Sequence, residues 1–126
     1  MKPKVYIETS VISYLTARSN RNLISAAHQQ ITKNWWNNRF KYELYVSELV
    51  VTECSAGNPD AVNNRLTALG EANLLQTPEK AIYIARNLLA RNIMPSKASE
   101  DALHIAIATL HSIDFLVTTY HPHPPS

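Results

Sequence analysis

Glycine is nearly missing from this chain, with 2 among 126 residues, and that scarcity removes whole classes of chemistry. Gly57 and Gly70 cannot build a phosphate-cradling loop, so there is neither a dinucleotide fingerprint nor a P-loop. No Gly-x-Ser-x-Gly nucleophile elbow occurs, and no paired histidines stand at zinc-site spacing. Cys54 is the only cysteine, which excludes an intrachain disulfide and makes an intracellular, cytoplasmic setting the expectation. No histidine base accompanies it nearby, so it reads as a small buried thiol. Long apolar runs are also lacking. The longest, Ala102 to Leu110, is too short to span a bilayer and contains His104, so no membrane partnership is expected. No lysine-headed apolar stretch opens the chain, and no signal peptide is expected.

What is present fits one domain with a real hydrophobic core: 45% of residues are hydrophobic and 17% charged. The net charge is only +2, but it is unevenly spread. Between Thr9 and Tyr42 stand five basic residues (Arg18, Arg21, Lys33, Arg39, Lys41) and no acid. Lys80, Arg86, Arg91 and Lys97 form a second basic group with only Glu79 among them. Such patches suit a phosphate backbone; solvated helix faces are the plain alternative.

Hydrophobic periodicity alternates strand with helix. Val5 to Ile7 reads as a strand ending in Glu8-Thr9-Ser10, followed by a short helix over Val11 to Leu15. A longer helix runs from about Leu23 to Arg39, with Leu23, Ala27, Ile31 and Trp35 on one face. Trp35 and Trp36 lie about 100° apart around it, so both cannot enter one core. Tyr42 to Val46 is a second strand, and Ser47 is a plausible N-cap for a helix through Glu53 that ends near Gly57. Asn58-Pro59 caps and starts a helix with Val62, Leu66 and Leu69 on one face, stopping at Gly70. Asn73 to Gln76 is a third strand. Thr77-Pro78-Glu79 repeats the cap-then-proline start for a helix to about Arg91, with Ile82, Ala85 and Leu89 inward. Asn92 to Ser96 breaks it. Ala98 to Ser112 is apolar almost all round, the mark of a helix buried on more than one side. Ile113 to Thr118 is a fourth strand. Strands alternating with helices, without hairpin signals, predict an α/β fold with a central parallel sheet and right-handed crossovers. The final Tyr120 to Ser126, with three prolines in seven residues, reads as a loose tail.

Acids are sparse enough to take singly. Glu43, Asp60, Glu71 and Glu79 fall at strand edges, helix starts or loops. Glu48 suits a helix N-terminus, and Asp114 a turn. Glu100 shares a helix with Asp101 and is expected to face elsewhere. Three acids remain in apolar surroundings: Glu8 at the end of the first strand, Glu53 within Val50-Val51-Thr52-Glu53-Cys54, and Asp101 opening the buried helix. A buried, unpartnered carboxylate is strongly unfavourable. Three such acids repel unless a hard cation lies between them, and oxygen-only ligation suits Mg2+ or Mn2+. Such a site supports metal-assisted phosphodiester hydrolysis. The alternative is that each acid separately finds a cap or a surface position. His104, one turn along from Asp101, reads as a satisfied buried histidine rather than a general base.

Four segments, Val5-Tyr6-Ile7-Glu8-Thr9-Ser10, Val46 to Glu53, Asp101 to Ala108 and Asp114 to Thr118, together carry a resemblance. The chain resembles the PIN-domain family, especially the VapC-like toxin ribonucleases of bacterial toxin–antitoxin systems. The resemblance implies a three-layer α/β/α sandwich over residues 1–119, with 120–126 as a disordered proline-rich tail. It implies Glu8, Glu53 and Asp101 as catalytic and metal-binding residues for Mg2+ or Mn2+, Glu8 replacing the usual aspartate with one methylene more. Thr9, Ser10 and Thr118 are implied to position substrate or water. RNA is the implied substrate; a cognate antitoxin and a second copy in a homodimer are the implied partners. Family members commonly carry an acid or amide where Tyr120 stands, and then continue, so a truncated C-terminal end with the fourth acidic position lost is expected. That departure sets a second reading beside the first: a catalytically impaired PIN fold that binds RNA or antitoxin.

Overall fold

The computed structural model describes residues 2–17, 22–94 and 98–118. Among these, four strands form one sheet: β1 (Lys4–Ile7), β2 (Glu43–Ser47), β3 (Asn73–Leu75) and β4 (Phe115–Val117). Their order is β3-β2-β1-β4 and every pairing is parallel. The first strand in sequence is therefore a central one. Consecutive residues of β1 point to opposite faces, yet Val5, Tyr6 and Ile7 are all buried, so both faces of the sheet are covered. Six helices supply the cover: α1 (Thr9–Thr16), α2 (Leu23–Trp36), α3 (Glu48–Cys54), α4 (Pro59–Leu69), α5 (Glu79–Ala90) and α6 (Ser99–Leu110). α1 packs against α2, α3 and α4, while α5 and α6 pack on each other. The α/β class with a central parallel sheet follows the sequence pattern. No helix among the described residues is long and apolar enough to cross a membrane.

The core runs through the sheet, with Ile7, Ile12, Val50 and Ile107 fully buried. Each such side chain contributes on the order of 1.5–3 kcal/mol relative to exposure. Helix α6 is buried on several sides through Ala102, His104, Ala106, Ile107 and Ala108. Buried small residues on both helices, including Ala81 and Ala85 of α5, suit close packing of the α5–α6 pair.

Local signals explain most boundaries. Ser47 Oγ accepts from Val50 N at the start of α3, and Asn58 Oδ1 accepts from Asp60 N and Ala61 N ahead of Pro59. With glycine so scarce, two helices turn out of their last residue on other side chains: Asn92 (φ 54°) after α5 and Ser112 (φ 55°) after α6. At each, the next residue's N–H reaches five back and the left-handed residue's own N–H three back: Ile93 to Leu88 and Asn92 to Leu89, then Ile113 to Ala108 and Ser112 to Thr109. These are paired Schellman closures.

Several expectations change. α2 ends at Trp36 instead of Arg39, because Asn37 and Asn38 turn the chain and Arg39–Lys41 forms a separate short 3-10 turn. Of its apolar face only Trp35 packs against the core: Leu23 and Ile31 are 84% and 66% exposed, and the buried side chains of α2 are Gln29 and Thr32. Both tryptophans pack against the core with their ring centroids 6.4 Å apart, Trp35 also stacking on Tyr42 at 5.9 Å and Trp36 receiving the Arg39 guanidinium at 4.6 Å. Pro78, not Thr77, is the N-cap of α5, and Ala81 and Ala85 are its buried residues while Ile82 faces outward. Phe115 is exposed because β4 pairs only with β1 at the edge of the sheet. The expected proline-rich tail, the 119/120 boundary and Tyr120 lie outside the described residues, as do Arg18, Arg21 and Lys97.

Candidate active site

The carboxyl ends of β1, β2 and β4 deliver the site. Glu8 follows β1 immediately, is only 8% exposed, and serves as the N-cap of α1. Its Oε1 accepts from Ser10 N at 3.1 Å, and its Oε2 accepts from the Ser10 hydroxyl and from Thr118 Oγ1 at 2.9 Å. The sheet register explains the last contact: Ile7 lies beside Val117, so the next residues of β1 and β4 emerge side by side.

Glu53 arrives from β2. That strand ends at Ser47, whose side chain caps α3, and Glu53 stands in the last turn of this helix. Its Oε1 accepts from Thr9 Oγ1 at 2.6 Å and lies 2.9 Å from His104 Nε2. His104 is buried on α6, and loss of solvation lowers its pKa against the pull of Glu8, Asp101 and Glu100. The neutral imidazole therefore makes a hydrogen bond to Glu53 rather than an ion pair. Its Nδ1 sits 2.5 Å from Tyr6 Oη, which is 2.7 Å from Ser47 Oγ. The buried histidine is satisfied on both nitrogens.

Asp101 is half-buried in the first turn of α6. Desolvation raises its pKa, and the negative charge of Glu8 raises it further. It lines a small apolar hollow of about 250 Å3 with Glu8, His104, Met94 and Thr118. Glu100 corrects the sequence reading: it turns toward the site. A hydrogen bond with the Glu53 carboxyl, followed by the charge of Glu53, holds its pKa above the usual carboxylate range. The spacing Glu100–His104, four residues along one helix face, is the signal that would have found it. Tyr6 was legible only as a core residue; its hydroxyl, like any buried phenol, needed a partner. Burial keeps Tyr6 protonated, its pKa well above the ordinary phenol range.

The sequence-selected groups thus converge on one edge, with Glu100 added. Among the described residues, the charges shifting Asp101 and Glu100 are other carboxylates and His104. An all-oxygen donor set of concentrated negative charge fits a hard divalent cation in chemistry. In placement it is looser: among the described residues no three His, Cys, Asp or Glu side chains are grouped so as to hold one ion. The nearby Cys54 thiol is buried and its pKa pushed up to about 11, mainly by desolvation, which makes it inert.

An acidic site at the carboxyl edge of a parallel sheet, flanked by helices, defines the class of fold. The match is specific: the model of the PIN domain covers residues 5–120, and the chain belongs to that family. No curated protein matches the sequence. Among solved structures, the fold is similar to Mycobacterium tuberculosis VapC20, a sarcin-ricin loop cleaving toxin. That likeness has a TM-score of 0.67 at 16% identity, over 89% of this chain and 86% of that one. It is also similar to VapBC2 from Rickettsia felis, solved bound to a DNA fragment from the promoter, with a TM-score of 0.62 at 14% identity, over 93% and 88% of the two chains.

Proposed function

We propose that this chain is a Mg2+- or Mn2+-dependent endoribonuclease, the toxin of a type II toxin–antitoxin pair acting in the cytoplasm as a homodimer. The observation that carries the proposal is the gathering of Glu8, Glu53, Glu100 and Asp101 at the carboxyl edge of the sheet of a PIN domain, where Glu53 and Glu8 help raise the pKa values of Glu100 and Asp101. The fold likeness to a sarcin-ricin loop cleaving toxin and to a VapBC complex supports RNA as substrate and an antitoxin as partner.

Glu8, Glu53 and Asp101 would hold the ion, with Glu100 within reach of the same edge. When bound, the ion supplies polarisation of a phosphoryl oxygen and acidification of an attacking water. The residues of the chain do the rest. Thr9 fixes Glu53, and Ser10 with Thr118 fixes Glu8, so that the ligand oxygens are oriented before substrate arrives. With their hydrogens given to the carboxylates, the same hydroxyls would position water by accepting from it. Of the basic residues expected to draw in RNA, Lys33, Lys41, Lys80, Arg86 and Arg91 lie on described segments. Arg39 is instead bound to Glu71 at 2.6 and 3.0 Å, over Trp36. Phosphate contacts by such residues position RNA without reading its sequence.

The looser grouping of the carboxylates favours a second reading, a PIN fold of weak or no activity that binds RNA or antitoxin. RNA cleavage with Mn2+, run beside Glu8→Gln and Asp101→Asn, separates the two. Cleavage by the unaltered chain well above both variants is expected. Equal rates in all three would leave only the binding module.

A further inference from the structure

Hydrogen-bond donors are limited along the path from α3 to its own carboxylate, and counting them gives the path a direction. Glu53, as a carboxylate, only accepts. His104 Nε2, 2.9 Å away, must therefore carry a hydrogen and donate it. A neutral imidazole protonated at Nε2 has a bare Nδ1, so Tyr6 Oη at 2.5 Å donates to it. The phenol has then used its only hydrogen and accepts from Ser47 Oγ at 2.7 Å. The serine oxygen in turn accepts from Val50 N at 3.3 Å. Every bond points the same way: Val50 N–H, Ser47, Tyr6, His104, Glu53.

The path begins in the first turn of α3 and ends on the last turn of the same helix, after passing through β1 and α6. It thereby ties three elements to one carboxylate oxygen. Tyr6, Ser47 and His104 are each no more than 1% exposed, so no water competes for these bonds. No buried side-chain polar atom among the described residues lacks a partner. A hydrogen on Nδ1 in place of Nε2 would set a bare Nε2 against the carboxylate and lose the bond to Glu53.

We propose that Tyr6, Ser47 and His104 are positioning residues, forming a one-way hydrogen-bond relay that fixes the direction in which the Glu53 carboxylate faces the site. The inference deepens the metal-centre reading above and rests on it. None of the three needs to touch the ion or the RNA. Their effect reaches the ion only through Glu53, as a partner that orients a ligand, and loss of such partners typically weakens metal binding about 10- to 100-fold.

Two measurements on the intact chain test this. Long-range proton–nitrogen correlation of the His104 ring reports its tautomer directly, with His104→Gln assigning the signal. The relay requires hydrogen on Nε2 and none on Nδ1; hydrogen on Nδ1, or on both, overturns it. Mn2+ titration of folded variants then reads the consequence. Tyr6→Phe and His104→Leu are each expected to weaken binding about 10- to 100-fold. His104→Gln, whose amide can still donate toward Glu53, is expected to lose less than His104→Leu. Thermal unfolding of each variant confirms that affinities are compared between folded proteins, and Tyr6→Phe carries the test if His104→Leu does not fold. Unchanged affinity in both Tyr6→Phe and His104→Leu refutes the relay while leaving the metal centre standing. No Mn2+ binding by the unaltered chain refutes the metal centre, and the orienting role with it.

Discussion

Glu100→Gln should stabilise the protein at neutral pH and lose that advantage in acid. The folded-state pKa of Glu100 is raised above its ordinary 4.5, first by the hydrogen bond with Glu53 and then by the charge of that group. Between the ordinary and the raised value, the folded chain binds more protons than the unfolded chain. Stability therefore falls as pH rises through that window, and the full penalty persists above it. Glutamine keeps a donor for the Glu53 carboxylate and removes the charge. Glu100 is exposed, so the gain is screened and is set by the scale of surface pairs, about 0.5 kcal/mol. For a domain of this size that is a rise in Tm of roughly 2 °C. Thermal unfolding of both proteins at pH 4 and pH 7.5, in low salt and without divalent ions, should give coincident Tm values at pH 4 and the higher value for Glu100→Gln at pH 7.5. Mn2+ should then reverse the order, because an ion bound only by the folded state stabilises the more acidic site more. At a hundredfold excess over Kd that effect is about 2.7 kcal/mol. A variant that is less stable than the parent at pH 7.5 without metal would refute the placement of Glu100 among the carboxylates.

Three further outcomes follow from the same structure. Ser112→Gly should raise stability by about 0.5 kcal/mol, since Ser112 sits at φ 55° and glycine relieves more strain there than it adds in unfolded-chain entropy; urea unfolding at constant m-value checks it. Ser47→Ala should cost about 1–2 kcal/mol, because one hydroxyl caps α3 and donates to Tyr6 in the buried relay, and the loss should appear in the same urea series. Cys54 should resist a thiol reagent in the native chain at pH 8 and react at once in guanidinium, its pKa being pushed up to about 11 by burial.

The fold was largely legible because its signals are local. Cap residues such as Ser47 and Asn58 sit beside the helices they start, and strand residues such as Val5 and Ile7 announce burial by type alone. Glu8, Glu53 and Asp101 stood out for a related reason: a carboxylate in an apolar run conflicts with its surroundings, and such conflicts are expected at functional sites. The apolar face of α2 was misleading because helical spacing shows which residues share a face and not what that face meets. α2 rests mainly on α1, so Leu23 and Ile31 stay outside.

Glu100 escaped for the opposite reason. Judged as an exposed acid, it carried no conflict of its own; its perturbation comes from Glu53, 47 positions earlier and on another helix. The relay was further out of reach, since Tyr6 and His104 are separated by 98 positions and meet only when β1 lies under α6. A tyrosine in a strand and a histidine in an apolar helix each look like ordinary core residues. What distinguishes them is hydrogen-bond arithmetic, which exists only after folding has removed water as the alternative partner. The sequence thus exposes the carboxylates, while the groups that hold them stay hidden among the hydrophobic residues. His104, Thr9, Ser10 and Thr118 each hold a carboxylate oxygen of Glu8 or Glu53, so these two acids have defined directions instead of being left to repulsion.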